Sequence, residues 1–141
     1  MMRAWFLPLL FTGCGSLVAV VRAVDGGVGT AVAAWLVFAL FAVAHSPLVF
    51  PRPVGAVEAR ELGAVDGRPI VYWRAGCKYC LRLRFRLGRD ARRLHWVDIW
   101  RDPAGAAAVR AVNGGAETVP TVVVAGKPYV NPDPRWVRDR L

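Results

Sequence analysis

Residues 69–80 read Pro69-Ile-Val-Tyr-Trp73-Arg-Ala-Gly-Cys77-Lys-Tyr-Cys80, and the fold turns on how this stretch is organised. Ile70 to Trp73 is a run of β-branched and aromatic side chains, the pattern of a buried strand. Ala75 and Gly76 allow a short turn, after which Cys77 and Cys80 stand one helical turn apart at the opening of a helix. Unpaired amide protons and the positive end of the helix dipole stabilise a thiolate there, and the thiolate is the attacking form of cysteine. Arg74 and Lys78 push the same way. Cys77 is therefore the candidate nucleophile. Cys80, less exposed and within reach, can attack a mixed disulfide on Cys77, releasing the substrate thiol and closing a Cys77–Cys80 disulfide. Tyr79 shapes the site without reacting.

A C-x-x-C pair is also half of a zinc site. The other half is missing: no cysteine follows Cys80, and neither His45 nor His95 stands at ligand spacing from the pair. No metal is expected, and His95, inside a second strand, reads as a packed histidine. Three cysteines are too few for a disulfide scaffold.

Downstream, Leu94 to Trp100 and Val119 to Val124 read as two further strands. Asp102-Pro103 is an N-cap followed by Pro at the first helical position, and Asn113-Gly-Gly115 closes that helix. Asn131-Pro132 repeats the start signal for a short last helix holding Trp136 and Val137. Leu81 to Leu87 alternates strictly between apolar and basic residues, which is the period of a strand. On a helix the same residues form one ridge from Cys80, Leu83 and Leu87 and another from Leu81 and Phe85, so we read a helix covered on two sides.

The chain is 55% hydrophobic and 21% charged over 141 residues, and the two kinds are segregated. Between Ala4 and Phe50 the only permanent charges are Arg22 and Asp25, whereas 17 of the 19 basic residues lie from Arg52 onward. Ala4–Val21 and Gly26–Ala44 are each close to the ~20 residues that cross a bilayer. A turn at Arg22–Gly27 joins them, and the second ends near His45 and Pro47. Phe50-Pro-Arg-Pro53 marks the exit. The expected organisation is a transmembrane helical hairpin over residues 1–50, a linker over 51–67 with one helical turn around Val57 to Leu62, and an α/β domain over 68–141. A cleaved signal peptide fits less well, because apolar sequence continues without a small-residue cleavage site. Cys14 reads as a small apolar residue inside a helix. Arg3 and the terminal amine on one side, and Arg52, Arg60 and Arg68 on the other, outweigh an Arg22 that Asp25 offsets. By the positive-inside rule both ends then face the cytoplasm. The net charge of +9 suits membrane lipid or acidic thiol ligands, and no nucleic-acid-binding motif is present. The arginines from Arg82 to Arg93 read as a solvated face, with docking on an anionic leaflet as a second use.

The region from Tyr72 to Leu141 resembles the glutaredoxins, and among them the actinobacterial mycoredoxins. The resemblance is carried by Cys77-Lys-Tyr-Cys80, Val97-Asp-Ile99, Val112-Asn-Gly-Gly115, Thr118-Val-Pro-Thr-Val122 and Asn131-Pro132. It implies a thioredoxin-like mixed four-stranded sheet with three helices and a cis Pro120 that places the Val119 backbone beside the cysteines. It further implies substrate or thiol contacts from Arg74, Lys78, Tyr79, Thr118, Val119, Pro120, Asn131 and Asp133. Gly76 stands where mycoredoxins commonly have Trp, and Lys78 replaces a small residue or the Pro of glutathione-linked members. Tyr129-Val-Asn-Pro-Asp133 replaces the Gly-Gly-Cys-Asp segment that holds glutathione in many glutaredoxins, which favours mycothiol over glutathione as reductant.

The resulting expectation is a membrane-anchored thiol-disulfide oxidoreductase, its domain cytoplasmic, acting on mixed or protein disulfides with a low-molecular-weight thiol as reductant and no bound cofactor. An extracytoplasmic oxidant or isomerase, an iron-sulfur or metal carrier, and an adaptor are the alternatives.

Overall fold

A computed structural model describes residues 2–46 and 49–141, with side chains from residue 5 onward. Pro47, where the second apolar stretch is expected to end, and the Arg3 side chain used for orientation lie outside the described part. The chain divides into two compact units, Met1–Val49 and Phe50–Leu141.

The first unit is a pair of helices, α1 (Met2–Val24) and α2 (Val28–Ala44), packed on each other. Gly15 lets them approach closely: a Cβ there would lie 2.5 Å from the Cβ of Phe38. Phe11 also meets Phe41, with ring centroids 5.8 Å apart. Their outward side chains, among them Leu9, Leu17, Val32 and Leu40, are apolar and exposed. Of the two, α1 is long and apolar enough to cross a membrane, over Trp5–Val24. At 17 residues α2 rises about 25 Å and falls short of the ~30 Å hydrocarbon thickness. The expected pair of full-length spans is thus corrected to one candidate span and a shorter apolar helix.

The second unit is a four-stranded sheet in the order β2-β1-β3-β4, with β1 Ile70–Trp73, β2 His95–Asp98, β3 Thr121–Val124 and β4 Lys127–Val130. β1 runs parallel to β2, with Tyr72 opposite Val97, and antiparallel to β3, with Val71 opposite Val122. Four helices accompany the strands: α3 (Ala56–Asp66), α4 (Lys78–Leu87), α5 (Pro103–Val112) and α6 (Pro134–Arg138). A 3₁₀ segment over Gly88–Arg93 joins α4 to β2.

The pleat sends Ile70, Tyr72 and Val97 to one face, where α3 and α5 pack. Gly105 of α5 sits so close to the sheet that a Cβ would come within 2.7 Å of Val97 Cγ1, and Gly63 of α3 lies against Ile70. Val71, Trp73 and Trp96 turn to the other face, and Phe50 stacks on Trp73 with centroids 3.7 Å apart. The Trp96 indole donates to the Ala91 carbonyl at 2.7 Å.

Two local expectations change, and the fourth strand that the resemblance implied is located. The segment expected as a linker with a single turn forms the three-turn helix α3, because Ala56 and Ala59, both fully buried, let its backbone settle on the domain. Its last turn ends on Gly67 at φ +70°, a left-handed cap that glycine adopts without strain. β4 is a fourth strand: all four of its residues are exposed and it pairs only with β3. Pro128 is tolerated because this is an edge. Helix α4 forms as expected but buries one ridge only. Cys80, Leu83 and Leu87 are inside, while Phe85 is 60% exposed. His95 is buried in β2, with Nε2 2.9 Å from the Asp66 carboxylate at the end of α3.

Candidate active site

β1 ends at Trp73, the chain turns through Gly76 at φ +75°, and Cys77 becomes the N-cap of α4. Its sulfur does the work that Ser or Asp does at other helix starts: Sγ accepts the Cys80 amide proton at 3.4 Å. Three donors therefore converge on one sulfur: the Cys80 thiol, which has the largest effect, and the amides of Cys80 and Tyr79. Partial burial opposes ionisation, Arg74 assists it, and the net result holds Cys77 at about 6. Cys80 is fully buried and moves the other way. Its proton is committed to the Cys77 sulfur, and its surroundings cannot solvate a second negative charge, so its pKa is pushed far above the ordinary thiol range. One cysteine is thus ready to attack at neutral pH while the other is kept as a thiol.

The Val119–Pro120 peptide bond is cis. In the thiol form Cys77 Sγ donates to the Val119 carbonyl at 3.3 Å, so this loop lies against the reactive sulfur. The Pro120 carbonyl in turn accepts the Asn131 amide at 2.7 Å, which ties the start of the β4–α6 connection to the same loop. Thr121, buried, donates its hydroxyl to the Thr118 carbonyl and receives the Asn113 amide, so the loop is held from behind as well.

The remaining sequence candidates fall into three sets. Tyr79, Asn131 and Asp133 surround a hollow of about 150 Å³ that also takes in Arg82 and Leu83. Asp133 additionally caps α6 through the Arg135 amide at 2.8 Å. Arg74, besides its charge acting on Cys77, holds its guanidinium 5.8 Å from the centre of the Trp100 ring, and the Lys78 ammonium lies 4.9 Å from that of Tyr79. Thr118 contributes its backbone and leaves its side chain exposed. Arg82 is the residue that the sequence reading passed over as ordinary solvated surface. It stands one turn beyond Tyr79 on α4, and that i to i+3 spacing was the available sign that both would face one hollow.

A thiolate-bearing cysteine at a helix start, a buried partner thiol one turn on and a cis-proline loop against the sulfur define a thioredoxin-like dithiol protein. The chain belongs to the glutaredoxin family. The glutaredoxin family model matches residues 70–129. Two proteins of Mycobacterium tuberculosis, "Putative glutaredoxin MT3292" from strain CDC 1551 and "Putative glutaredoxin Rv3198A" from strain H37Rv, are each 40% identical to it over 72 residues. That alignment covers 50% of this chain and 86% of each relative, and the residues matched by the family model lie wholly in the second unit.

Proposed function

We propose that this chain is a membrane-anchored glutaredoxin that reduces mixed and protein disulfides through Cys77 and Cys80. The observation that carries the reading is the geometry at one helix start: Cys77 Sγ caps α4 by accepting the Cys80 amide at 3.4 Å, lies 3.3 Å from the Val119 carbonyl, and has the buried Cys80 thiol one turn on. The Cys77 thiolate attacks a substrate disulfide R–S–S–R′, forming Cys77–S–S–R and expelling R′S⁻, which takes a proton from solvent. The Cys80 thiol then loses its proton and attacks Cys77, releasing RS⁻ and leaving a Cys77–Cys80 disulfide. Two electrons have passed to the substrate. A low-molecular-weight thiol returns them, with two thiols converted to one disulfide. Mycothiol is our choice of reductant, because Tyr129–Asp133 lacks the diglycine segment associated with glutathione. Val119, Asn131, Asp133 and Tyr79 form the bed on which the substrate thiol rests.

The apolar, outward-facing side chains of α1 and α2 support membrane residence, since a face of this kind marks contact with a membrane or a partner and α1 has the length to span. Arg3 at the start of α1 and Arg52, Arg60 and Arg68 after α2, against an Arg22 that Asp25 offsets, support a hairpin whose two ends are cytoplasmic, with the shorter α2 crossing where the bilayer thins to meet it.

The direct test is reduction of a mycothiol mixed disulfide by the full chain in neutral detergent. Cys77→Ser should abolish turnover, and Cys80→Ser should stop after one step with the mixed disulfide trapped on Cys77. Absence of turnover with either mycothiol or glutathione would remove the oxidoreductase reading.

A further inference from the structure

The hollow at Tyr79 and Asn131 does not end at Asp133. Arg82, Asp133 and Pro134 line it and equally line a second, larger hollow of about 560 Å³ between α4 and α6. That hollow is walled by Arg86, Arg135 and Arg138. The two form one groove running from Tyr79 and Asn131 along α4 to Arg86 and Arg138. Its four arginines face few counter-charges. Asp133 lies 4.0 Å from Arg82, and Asp90 lies 3.4 Å from Arg138. Arg86 and Arg135 have no carboxylate partner among the described residues, and both are exposed.

We infer that this groove binds an acidic segment of the protein whose disulfide is reduced, so that glutamate or aspartate beside the target cysteine selects the substrate. The inference rests on the oxidoreductase reading above. From Tyr79 to Arg86 the helix rises about 10 Å, the length of about three residues of extended chain. The acidic residues should therefore fall within about four positions of the substrate cysteine. The arginines line a concavity that starts at Tyr79, two residues after Cys77, and at Asn131, whose amide is tied to Pro120, which fits an extended polypeptide held nearby by its mixed disulfide. A flat layer of lipid headgroups would meet the rim and leave the Asp133 end unfilled. Two guanidinium groups without carboxylates supply planar donor pairs matched to incoming carboxylates.

The test uses the full chain in neutral detergent and two peptides carrying one cysteine as a mixed disulfide with 2-mercaptoethanol. The flanking four residues on each side are Glu in one peptide and Gln in the other. The Glu peptide should show about tenfold higher kcat/KM at low ionic strength, and the preference should shrink as salt is added. Arg86→Glu/Arg135→Glu should erase or invert it, while reduction of the neutral bis(2-hydroxyethyl) disulfide stays unchanged. Equal kcat/KM for the two peptides would overturn the inference and leave the oxidoreductase reading standing. So would a double variant that differs from the parent only in micelles containing phosphatidylglycerol, which would assign the groove to lipid. Failure of the parent protein on the neutral disulfide as well would remove both readings together.

Discussion

Cys77 and Cys80 are the same amino acid three positions apart, and their surroundings give them opposite acidities. The Cys80 thiol proton is the largest influence on Cys77, so the acidity of the outer sulfur depends on the inner one. Cys80→Ala should raise the pH midpoint of Cys77 alkylation by iodoacetamide from about 6, and Cys80→Ser, which keeps a hydroxyl donor, should raise it less. An unmoved midpoint in Cys80→Ala would mean that the backbone amides alone set the value. The same shift acts on stability. The folded pKa lies below the unfolded one, about 8.5 for an ordinary thiol. The thiolate therefore contributes stability that is present above the unfolded value and lost as pH falls through about 6. Urea denaturation of the reduced protein across this window should show that loss, and Cys77→Ser should flatten it.

At the scale of elements, one carboxylate starts two helices. Asp102 Oδ1 accepts the amides of Ala104 and Gly105 at the start of α5, and Oδ2 accepts the Ala56 amide at the start of α3, at 2.6 Å. Burial works to raise the Asp102 pKa, but these backbone donors outweigh it and hold the carboxyl below the usual range. A cap contributes about 1 kcal/mol, so Asp102→Ala should cost about 2 kcal/mol in urea denaturation, and Asp102→Asn distinctly less. Gly105→Ala places a methyl group 2.7 Å from Val97 Cγ1, a buried β-branched side chain that cannot turn aside. Overpacking of this kind costs about 1–3 kcal/mol and exceeds the helix propensity that alanine adds, so a lower Tm is expected. The Asp102-Pro103 start was legible in the sequence, because capping is local chemistry. The second use of Asp102 was not, since Ala56 lies 46 residues away. α3 was expected as a single turn around Val57 to Leu62 and its full length was not legible for a related reason: its buried contacts are alanines, which leave no hydrophobic stripe.

At the scale of the whole molecule, two compact units differ in the solvent their surfaces suit. The hairpin reading predicts that the full chain stays with membranes after alkaline carbonate extraction, and that a chain beginning at Val54 is released. It also predicts that alkaline phosphatase fused after Leu141 is inactive while green fluorescent protein at the same place fluoresces. An active phosphatase fusion would put the dithiol outside and make oxidation or isomerisation its better description.

The sequence by itself determined the two-part division of apolar and basic residues, the cysteine pair at a strand-to-helix turn and the threonine–valine–proline loop. Each is written in neighbouring residues, where composition, spacing and capping act over a few positions. The resemblance to the glutaredoxins placed the Val119 backbone beside the cysteines; only the tertiary structure decided that Asn131 is tied to Pro120 and that Arg82, Arg86, Arg135 and Arg138 share one groove. Those relations join residues that are far apart along the chain. They exist because β1, β3 and β4 pair side by side in one sheet, which brings the ends of distant segments together over α4.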